Sequence, residues 1–172
     1  MGIEHASKIE PCLWFDDKAE EAANHYVSVF SARRATRSDG GESKILGITR
    51  YGDAGPGPAG TVMTVDFLLE GQGFVALNGG PEFTFSPAIS FVVNCETQDE
   101  VDELWEALSE GGSKGECGWV EDRFGVSWQI VPNALGDLLS DPDPGRSQRV
   151  MRAMLEMGKL DIAELQRAAE AA

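Results

Sequence analysis

Residues 118–132 read GWVEDRFGVSWQIVP, and this stretch decides the fold. Strand-forming residues run from Cys117 to Val120 and again from Val126 to Val131. Between them, Glu121 to Gly125 has the composition of a tight turn. Pro132 cannot donate an amide hydrogen to a ladder, so it ends the second run. The stretch therefore predicts two neighbouring strands joined by a turn.

A further strand and a helix are predicted ahead of this hairpin. Ala88 to Asn94 is an apolar run, and Thr97 to Glu100 has the form of a capping box, which satisfies free amides at a helix start. Gly111-Gly112 is typical of a helix end. The helix between them shows an apolar stripe made of Val101, Leu104, Trp105 and Leu108.

The same order of elements occurs earlier in the chain, roughly eighty residues away, as expected for an internal repeat. Ile9 to Phe15 predicts a strand, Asp17 to Glu20 a second capping box, and the following helix stops near Ser31. The repeat predicts an α+β fold of two βαβββ modules. The first module is completed by strands at Ile45 to Tyr51, Thr61 to Leu69 and Phe74 to Asn78.

Four segments follow from this pattern. Residues 1–7 are an N-terminal extension, 8–80 the first module, 86–132 the second module, and 133–172 a C-terminal helical tail. The tail opens with the turn at Asp141 to Pro144 and continues as two short amphipathic helices, which we expect to pack on the body or on a partner subunit.

Composition excludes several classes of partner. The net charge of −15 repels phosphate backbones and anionic membranes, so neither nucleic acid nor a membrane is expected to bind. No apolar run is long enough to span a bilayer. Three cysteines without a CxxC pair argue against a disulfide framework or a zinc ribbon, and they favour a reducing cytoplasm.

Several motifs together resemble one family, the PhnB-like branch of the vicinal oxygen chelate superfamily, which is also filed as 3-demethylubiquinone 3-methyltransferase-like. Residues 118–132 carry the closest likeness. The likeness covers nearly the whole chain, roughly from Lys8 to Ala168. The other motifs that carry it are Pro11 to Asp16, Tyr26, Leu77 to Gly80, and Met157 to Ile162.

The resemblance implies a glyoxalase/bleomycin-resistance-like architecture, in which the two modules form a cup-shaped half-barrel that a second subunit often completes. We therefore expect a homodimer, because exposed sheet edges are best covered by a partner. The relatives include metal enzymes and metal-free binding proteins.

The resemblance also locates the positions where the superfamily's enzymes hold a divalent metal through His or Gln, Glu, His and Glu. The matching positions here are Glu10 or Cys12, then Asn78, Ser90 and Gln129. Neutral amide and hydroxyl donors carry no charge to offset a dication. The sequence therefore predicts no cofactor, and a divalent metal is kept as the alternative.

The same positions are predicted to bind a small molecule instead. Asn78, Ser90 and Gln129 are expected to form hydrogen bonds on the floor of a pocket. Cys12 is interpreted as a small lining residue rather than a nucleophile, because nothing near it in sequence would lower its pKa. The expected aromatic walls are Trp14, Phe83, Phe85, Trp119 and Trp128.

Two other motifs receive structural interpretations. Asp122 and Arg123 are predicted to form an ion pair that fixes the hairpin turn. Gly55 to Gly60 formally matches GxGxxG, but its two prolines remove amide donors and it leads into a strand, so it is not a dinucleotide loop. No other glycine-rich turn joins a strand to a helix, so methyl transfer from S-adenosylmethionine is not expected.

Three functional hypotheses follow. The favoured one is a metal-free protein that binds a small, partly aromatic molecule in the cup of a homodimer. The alternative is a divalent-metal enzyme of glyoxalase, isomerase or dioxygenase type. The third is a dimeric scaffold without a ligand.

Overall fold

The computed structural model describes residues 8–32 and 41–171. The predicted extension, residues 1–7, and most of loop 35–43 lie outside these residues. The chain divides into two compact units between Thr84 and Phe85, which we call unit 1 and unit 2. None of the described helices is long and apolar enough to cross a membrane.

Unit 1 is a βαβββ module whose elements follow one another in the predicted order. Its sheet has the strand order β1-β4-β3-β2, in which β1 is parallel to β4 and the other pairs are antiparallel. The elements are β1 (Cys12–Phe15), α1 (Ala19–Ser31), β2 (Lys44–Arg50), β3 (Val62–Leu69) and β4 (Gln72–Asn78).

Unit 2 repeats this topology and adds the helical tail. Its sheet has the order β5-β8-β7-β6, again with one parallel pair, β5 with β8. The predicted α+β class and the repeat of βαβββ modules are thus confirmed. The elements are β5 (Phe91–Cys95), α2 (Gln98–Ser109), β6 (Ser113–Lys114), β7 (Trp119–Glu121), β8 (Ser127–Pro132), α3 (Asn133–Leu139), α4 (Pro144–Leu155) and α5 (Ile162–Glu170).

Each sheet carries its helix on one face, and the alternation of side chains fixes which residues face away from it. In unit 1, Tyr26 of α1 stacks on Phe67 with ring centroids 6.4 Å apart, so the buried row of Leu13, Ala76 and Val65 lies on the α1 side. We call the opposite face of the unit 1 sheet open face 1. Its side chains include Cys12, Trp14, Thr64, Asp66, Val75 and Leu77.

Unit 2 has the same arrangement. Trp128 and Ile130 of β8 and Val120 of β7 are almost fully buried, and they form the side of the sheet that packs against α2. We call the other face open face 2. Its side chains include Val92, Asn94, Trp119, Gln129 and Val131.

The two predicted capping boxes have different outcomes. Thr97 caps α2 by accepting a hydrogen bond from the Glu100 amide (3.2 Å), which confirms the second box. The first box is wrong: Lys18 occupies the N-cap position of α1 without a side-chain hydrogen bond, and Asn78 Oδ1 accepts from the Ala19 amide at 2.8 Å. A residue far away in sequence therefore replaces the local cap.

Other boundaries shift by a few residues. β5 begins at Phe91 rather than Ala88, and α3 was not predicted, because its apolar residues continue directly from the last strand.

In the tail, Asp143 caps α4 through the Gly145 amide (2.8 Å), and Pro144 begins the helix. The tail helices enclose a core of Leu135, Val150, Met157, Leu160, Leu165 and Ala169.

Candidate functional site

An aromatic pair stands on open face 1. Trp14 and Phe83 meet edge to face with ring centroids 5.0 Å apart. The indole Nε1 of Trp14 donates to the Gly80 carbonyl at 2.9 Å, which fixes the ring orientation. A Cβ at Gly79 would overlap the same indole, so only glycine lets the ring lie this close to the chain. Because Phe83 is 60% exposed, the pair offers an aromatic surface to solvent.

The side chain of Asn78, which was predicted to bind a ligand, forms hydrogen bonds within the protein instead. Its Oδ1 accepts from the Ala19 amide and its Nδ2 donates to the Val62 carbonyl at 3.1 Å. Its backbone carbonyl accepts from the Tyr51 hydroxyl at 2.6 Å. The side chain therefore lies on the α1 side of the sheet and joins α1, β3 and β4.

Cys12 lies on open face 1 in the same row as Asp66, on either side of Val75. Desolvation raises the pKa of the Cys12 thiol, and the nearby Asp66 carboxylate raises it further. Since a thiol is nucleophilic only as the thiolate, this site disfavours Cys12 as a nucleophile. Asp66 is 6% exposed and places a charged group among the apolar residues of this face.

On open face 2, the two predicted polar residues contact each other. Gln129 Nε2 donates to Ser90 Oγ at 2.8 Å. Trp119 is the register partner of Gln129 on the neighbouring strand, and Val92 is its partner on the other side. The structure thus brings together three of the predicted residues, with two apolar side chains flanking a polar pair.

Two predicted wall residues lie elsewhere. Trp128 is 2% exposed on the α2 side of its sheet, so its indole belongs to the core of unit 2 rather than to an open face. Phe85 lies near the hairpin turn, 3.8 Å from where a Cβ of Gly125 would be. Sequence could not separate Trp119 from Trp128, because both lie in apolar strands and only the register assigns each to a face.

The predicted structural role of Asp122 is confirmed. Its Oδ1 accepts from the amides of Phe124 (2.8 Å) and Val126 (3.0 Å), and its Oδ2 accepts from Trp128 Nε1 at 2.8 Å. These bonds close the turn and anchor the buried indole. Arg123 lies over the Phe124 ring, 5.0 Å from its centroid.

The matching donors at Asn78, Ser90 and Gln129 do not fit the divalent metal that the superfamily's enzymes hold, and Glu10, the one carboxylate among the matching positions, precedes β1. Asn78 uses both ends of its amide internally, and Ser90 and Gln129 bond to each other. Within residues 8–32 and 41–171, no three His, Cys, Asp or Glu side chains converge as metal ligands would. On the open faces, β1 offers Cys12 and Trp14, while β4 offers the apolar Val75 and Leu77.

A pocket that the sequence did not predict lies in unit 1, at the start of α1. It has a volume of about 490 Å³. We call it the α1 pocket. Asp16, Asp17, Glu20, Tyr51, Pro56, Gly57, Pro58, Thr61, Val62, Asn78, Gly79 and Gly80 line it.

The glycine-rich loop between β2 and β3 forms one wall of this pocket by wrapping around Tyr51. A Cβ at Gly55 or Gly57 would collide with the Tyr51 ring, which explains the glycines. The loop is closed where the Gly60 amide donates to the Tyr51 carbonyl at 2.8 Å. The GxGxxG-like spacing was therefore the one local signal of the pocket, and it encodes ring packing rather than phosphate binding.

Comparison with known proteins gives a family and a fold. A family model described as 3-demethylubiquinone-9 3-methyltransferase matches residues 7–131. None of the curated proteins matches the chain.

Two solved structures are similar to the chain. A PhnB protein from Bacillus cereus, whose description carries the same methyltransferase name, is 37% identical with a TM-score of 0.62. The match covers 73% of this chain and 99% of that one. Protein PA1353 from Pseudomonas aeruginosa is 24% identical with a TM-score of 0.56, over 73% of this chain and 97% of its own, and this likeness concerns the fold alone.

Proposed function

Because the chain belongs to the 3-demethylubiquinone-9 3-methyltransferase family, in its PhnB-like branch with a glyoxalase/bleomycin-resistance-like fold, we propose that it binds a small, partly aromatic molecule without a metal. The ligand lies on open face 1, and the protein acts as a homodimer in the cytoplasm. The three free thiols, of Cys12, Cys95 and Cys117, support a reducing compartment.

The aromatic pair of Trp14 and Phe83 carries this proposal. The Trp14 indole is already fixed by its bond to Gly80 and by contact with Gly79, so it loses little freedom when a ligand stacks on it. Phe83 extends the surface and is accessible. A flat ligand gains both the burial of apolar area and the geometry that aromatic rings prefer.

The described residues do not support the methyl transfer that the family's name implies. Transfer of a methyl group from S-adenosylmethionine would ordinarily need a glycine-rich turn between a strand and a helix. Here the glycine-rich loop joins two strands and packs around Tyr51. Binding without methyl transfer is therefore the function that these residues favour.

Ligand binding is tested by a thermal-shift screen of aromatic metabolites and antibiotics, since a ligand that binds only the folded state raises the melting temperature. Phe83→Ala should weaken any hit about fivefold, because a stacked ring contributes of the order of 1 kcal/mol. Leu155→Ala is the control, since Leu155 is 58% exposed and lies on α4 in the tail. Equal affinity of the wild type and Phe83→Ala for every hit would refute the site.

The metal-free part is tested separately. The purified protein is incubated with Mn, Fe, Ni and Zn, dialysed, and analysed by plasma mass spectrometry. We expect far less than one metal per chain, because Ser90 and Gln129 bond to each other and Asn78 bonds within unit 1. Stoichiometric metal would overturn this part and favour the metal-enzyme alternative, with Glu10 and Gln129 as the first residues to replace.

A further inference from the structure

The α1 pocket is a second candidate binding site that adjoins open face 1 at Gly79 and Gly80, and part of its lining is apolar. The Tyr51 ring, Pro56, Pro58 and Val62 surround a space of about 490 Å³. Small-molecule sites occupy roughly 300–1,000 Å³ and combine such walls with a few polar groups. The volume and the walls suit a compact ligand with a flat apolar body.

The ring of Tyr51 is held in place, so the wall exists before a ligand arrives. The hydroxyl donates to the Asn78 carbonyl, and the loop at Gly55 and Gly57 packs against the ring. Thr61 closes the loop further, because its hydroxyl donates to the Pro58 carbonyl at 2.7 Å. Because this wall is already ordered, little conformational entropy is lost when a ligand binds to it.

Three of the polar residues that line the pocket carry carboxylates. Asp16, Asp17 and Glu20 line it, and among the described residues none of the three takes part in an ion pair. The neighbouring cation, Lys18, lies 3.2 Å from Glu21, which does not line the pocket. An anionic ligand would meet three like charges here, whereas a cationic one would meet three opposite charges.

The arrangement of the carboxylates indicates which kind of cation would bind. Three acidic groups that held a metal ion would converge on one point, and no such convergence occurs within the described ranges. Carboxylates that line a pocket without converging suit a larger cation that carries its charge over several atoms. The first amide of α1, on Ala19, already donates to Asn78, so it is not free to attract an anion.

We propose that the α1 pocket binds an organic cation of the amidine, guanidine or aromatic amine class. The apolar body contacts Tyr51, Pro56 and Pro58, and the charged end lies among the carboxylates of Asp16, Asp17 and Glu20.

The test uses three compounds of similar shape and different charge: benzamidine, benzamide and benzoate. Each is titrated into the full chain by calorimetry at low salt. We expect benzamidine to bind, benzamide to bind at least about tenfold more weakly, and benzoate more weakly still. Binding of benzamide or benzoate as tight as that of benzamidine, or no benzamidine binding at about 10 mM, would overturn the proposal.

Variants locate the bound cation. Asp16→Asn with Glu20→Gln should weaken benzamidine about tenfold, since two exposed attractions are removed. Glu82→Gln is the control, because Glu82 is an exposed carboxylate of unit 1 that does not line the pocket, and it should change the affinity less than about twofold. Equal losses in both proteins would mean that the effect is general electrostatics and would refute the site.

One more variant separates this proposal from the aromatic ligand on open face 1. Phe83→Ala should leave benzamidine binding unchanged, and loss of benzamidine binding in this variant would place the cation on open face 1 and refute the pocket. Loss of aromatic hits in Phe83→Ala with intact benzamidine binding would support both proposals, so the failure of one can be told from the failure of the other.

Discussion

Asn78 shows how one residue can look like a ligand-binding group and yet hold the fold together. Its amide oxygen caps α1, and its amide nitrogen donates to Val62 at the start of β3. Both functions need an amide, because one end must accept and the other must donate. An asparagine at the end of a strand is therefore not by itself evidence of a binding site.

Replacing Asn78 should destabilise unit 1. Asn78→Ala removes the cap and leaves the Ala19 amide and the Val62 carbonyl without this partner, so we expect a loss of about 2 kcal/mol in the free energy of unfolding. Urea denaturation measures it. The control is Asn24→Ala, since Asn24 is exposed on α1 and bonds only within its own helix (2.8 Å to the Glu20 carbonyl), and it should cost less than about 0.5 kcal/mol. Similar losses for the two variants would contradict the capping role.

The Cys12 thiol provides a second prediction at this scale. Desolvation and the Asp66 carboxylate both raise its pKa, so at pH 8 its thiolate fraction is small and its alkylation by iodoacetamide should be slow for an accessible cysteine. Asp66→Asn removes the negative charge, which lowers the pKa and should speed the reaction. Mass spectrometry of the Cys12 peptide follows the rate.

A matched charge removal tests the specificity of this effect. Glu42→Gln also removes a carboxylate from unit 1, but Glu42 pairs with Lys44 at the beginning of β2 (2.6 Å). It should leave the alkylation rate unchanged. If Asp66→Asn alkylates no faster than the wild type, Asp66 does not influence the thiol.

Among the elements, the C-terminal tail shows what the motif Met157 to Ile162 does. The carbonyls of Met157 and Gly158 accept from the amides of Cys117 and Gly118, each at 2.8 Å. Cys117 and Gly118 have positive φ, 55° and 83°, which turns both amides toward the tail. The motif is therefore a docking segment that attaches α5 to the strands of unit 2.

Gln98, at the start of α2, completes this attachment. Its Oε1 accepts from the Ile162 amide at 2.8 Å, and its Nε2 donates to the Leu160 carbonyl at 3.1 Å and to Asp102. Lys159 lies 2.7 Å from Asp102 and, with Gln98, holds the pKa of that carboxyl below its usual value. The Gln98 side chain thus supplies the hydrogen bonds that join α2 to the tail.

Gln98→Ala should loosen the tail. Two backbone groups lose their partners, so we expect a cost of about 1–3 kcal/mol and faster hydrogen exchange at the Ile162 amide and in the following helix. Exchange detected by mass spectrometry over residues 157–171 measures it. Gln166→Ala, an exposed position on α5, is the control. Unchanged exchange in Gln98→Ala would show that the apolar tail core alone holds these helices.

At the scale of the whole molecule, each sheet has two edge strands without a partner strand among residues 8–32 and 41–171. β1 and β2 are the edges in unit 1, and β5 and β6 are those in unit 2. Such edges expose amides and carbonyls that another chain can pair with, and proteins usually cover them.

We therefore predict a homodimer in solution. Light scattering at micromolar concentration should give about twice the chain mass of 18.5 kDa. Dilution across the dissociation constant should halve this value. A single species of monomer mass across the range would contradict the prediction.

Apart from β6 and α3, the order of elements could be predicted from sequence because it depends on local signals. Turn residues, apolar alternation in strands and apolar stripes in helices are signals that span only a few residues. Because the same order of signals occurs twice, the prediction of each module strengthened that of the other. The hairpin of residues 118–132 and the role of Asp122 in its turn were predicted for the same reason. Composition likewise determines the net charge of −15, and the exclusion of nucleic acid and membranes as partners stays a prediction.

The surroundings of each side chain depended on the tertiary structure, because they are set by register and by contacts between distant residues. Asn78 meets Ala19, which is 59 residues away, so no local pattern could identify it as a cap. Trp119 and Trp128 lie on opposite faces because of the pairing of β7 with β8, although both occupy similar apolar strands. The α1 pocket arises from a loop, two strand ends and a helix start, and only folding brings these together.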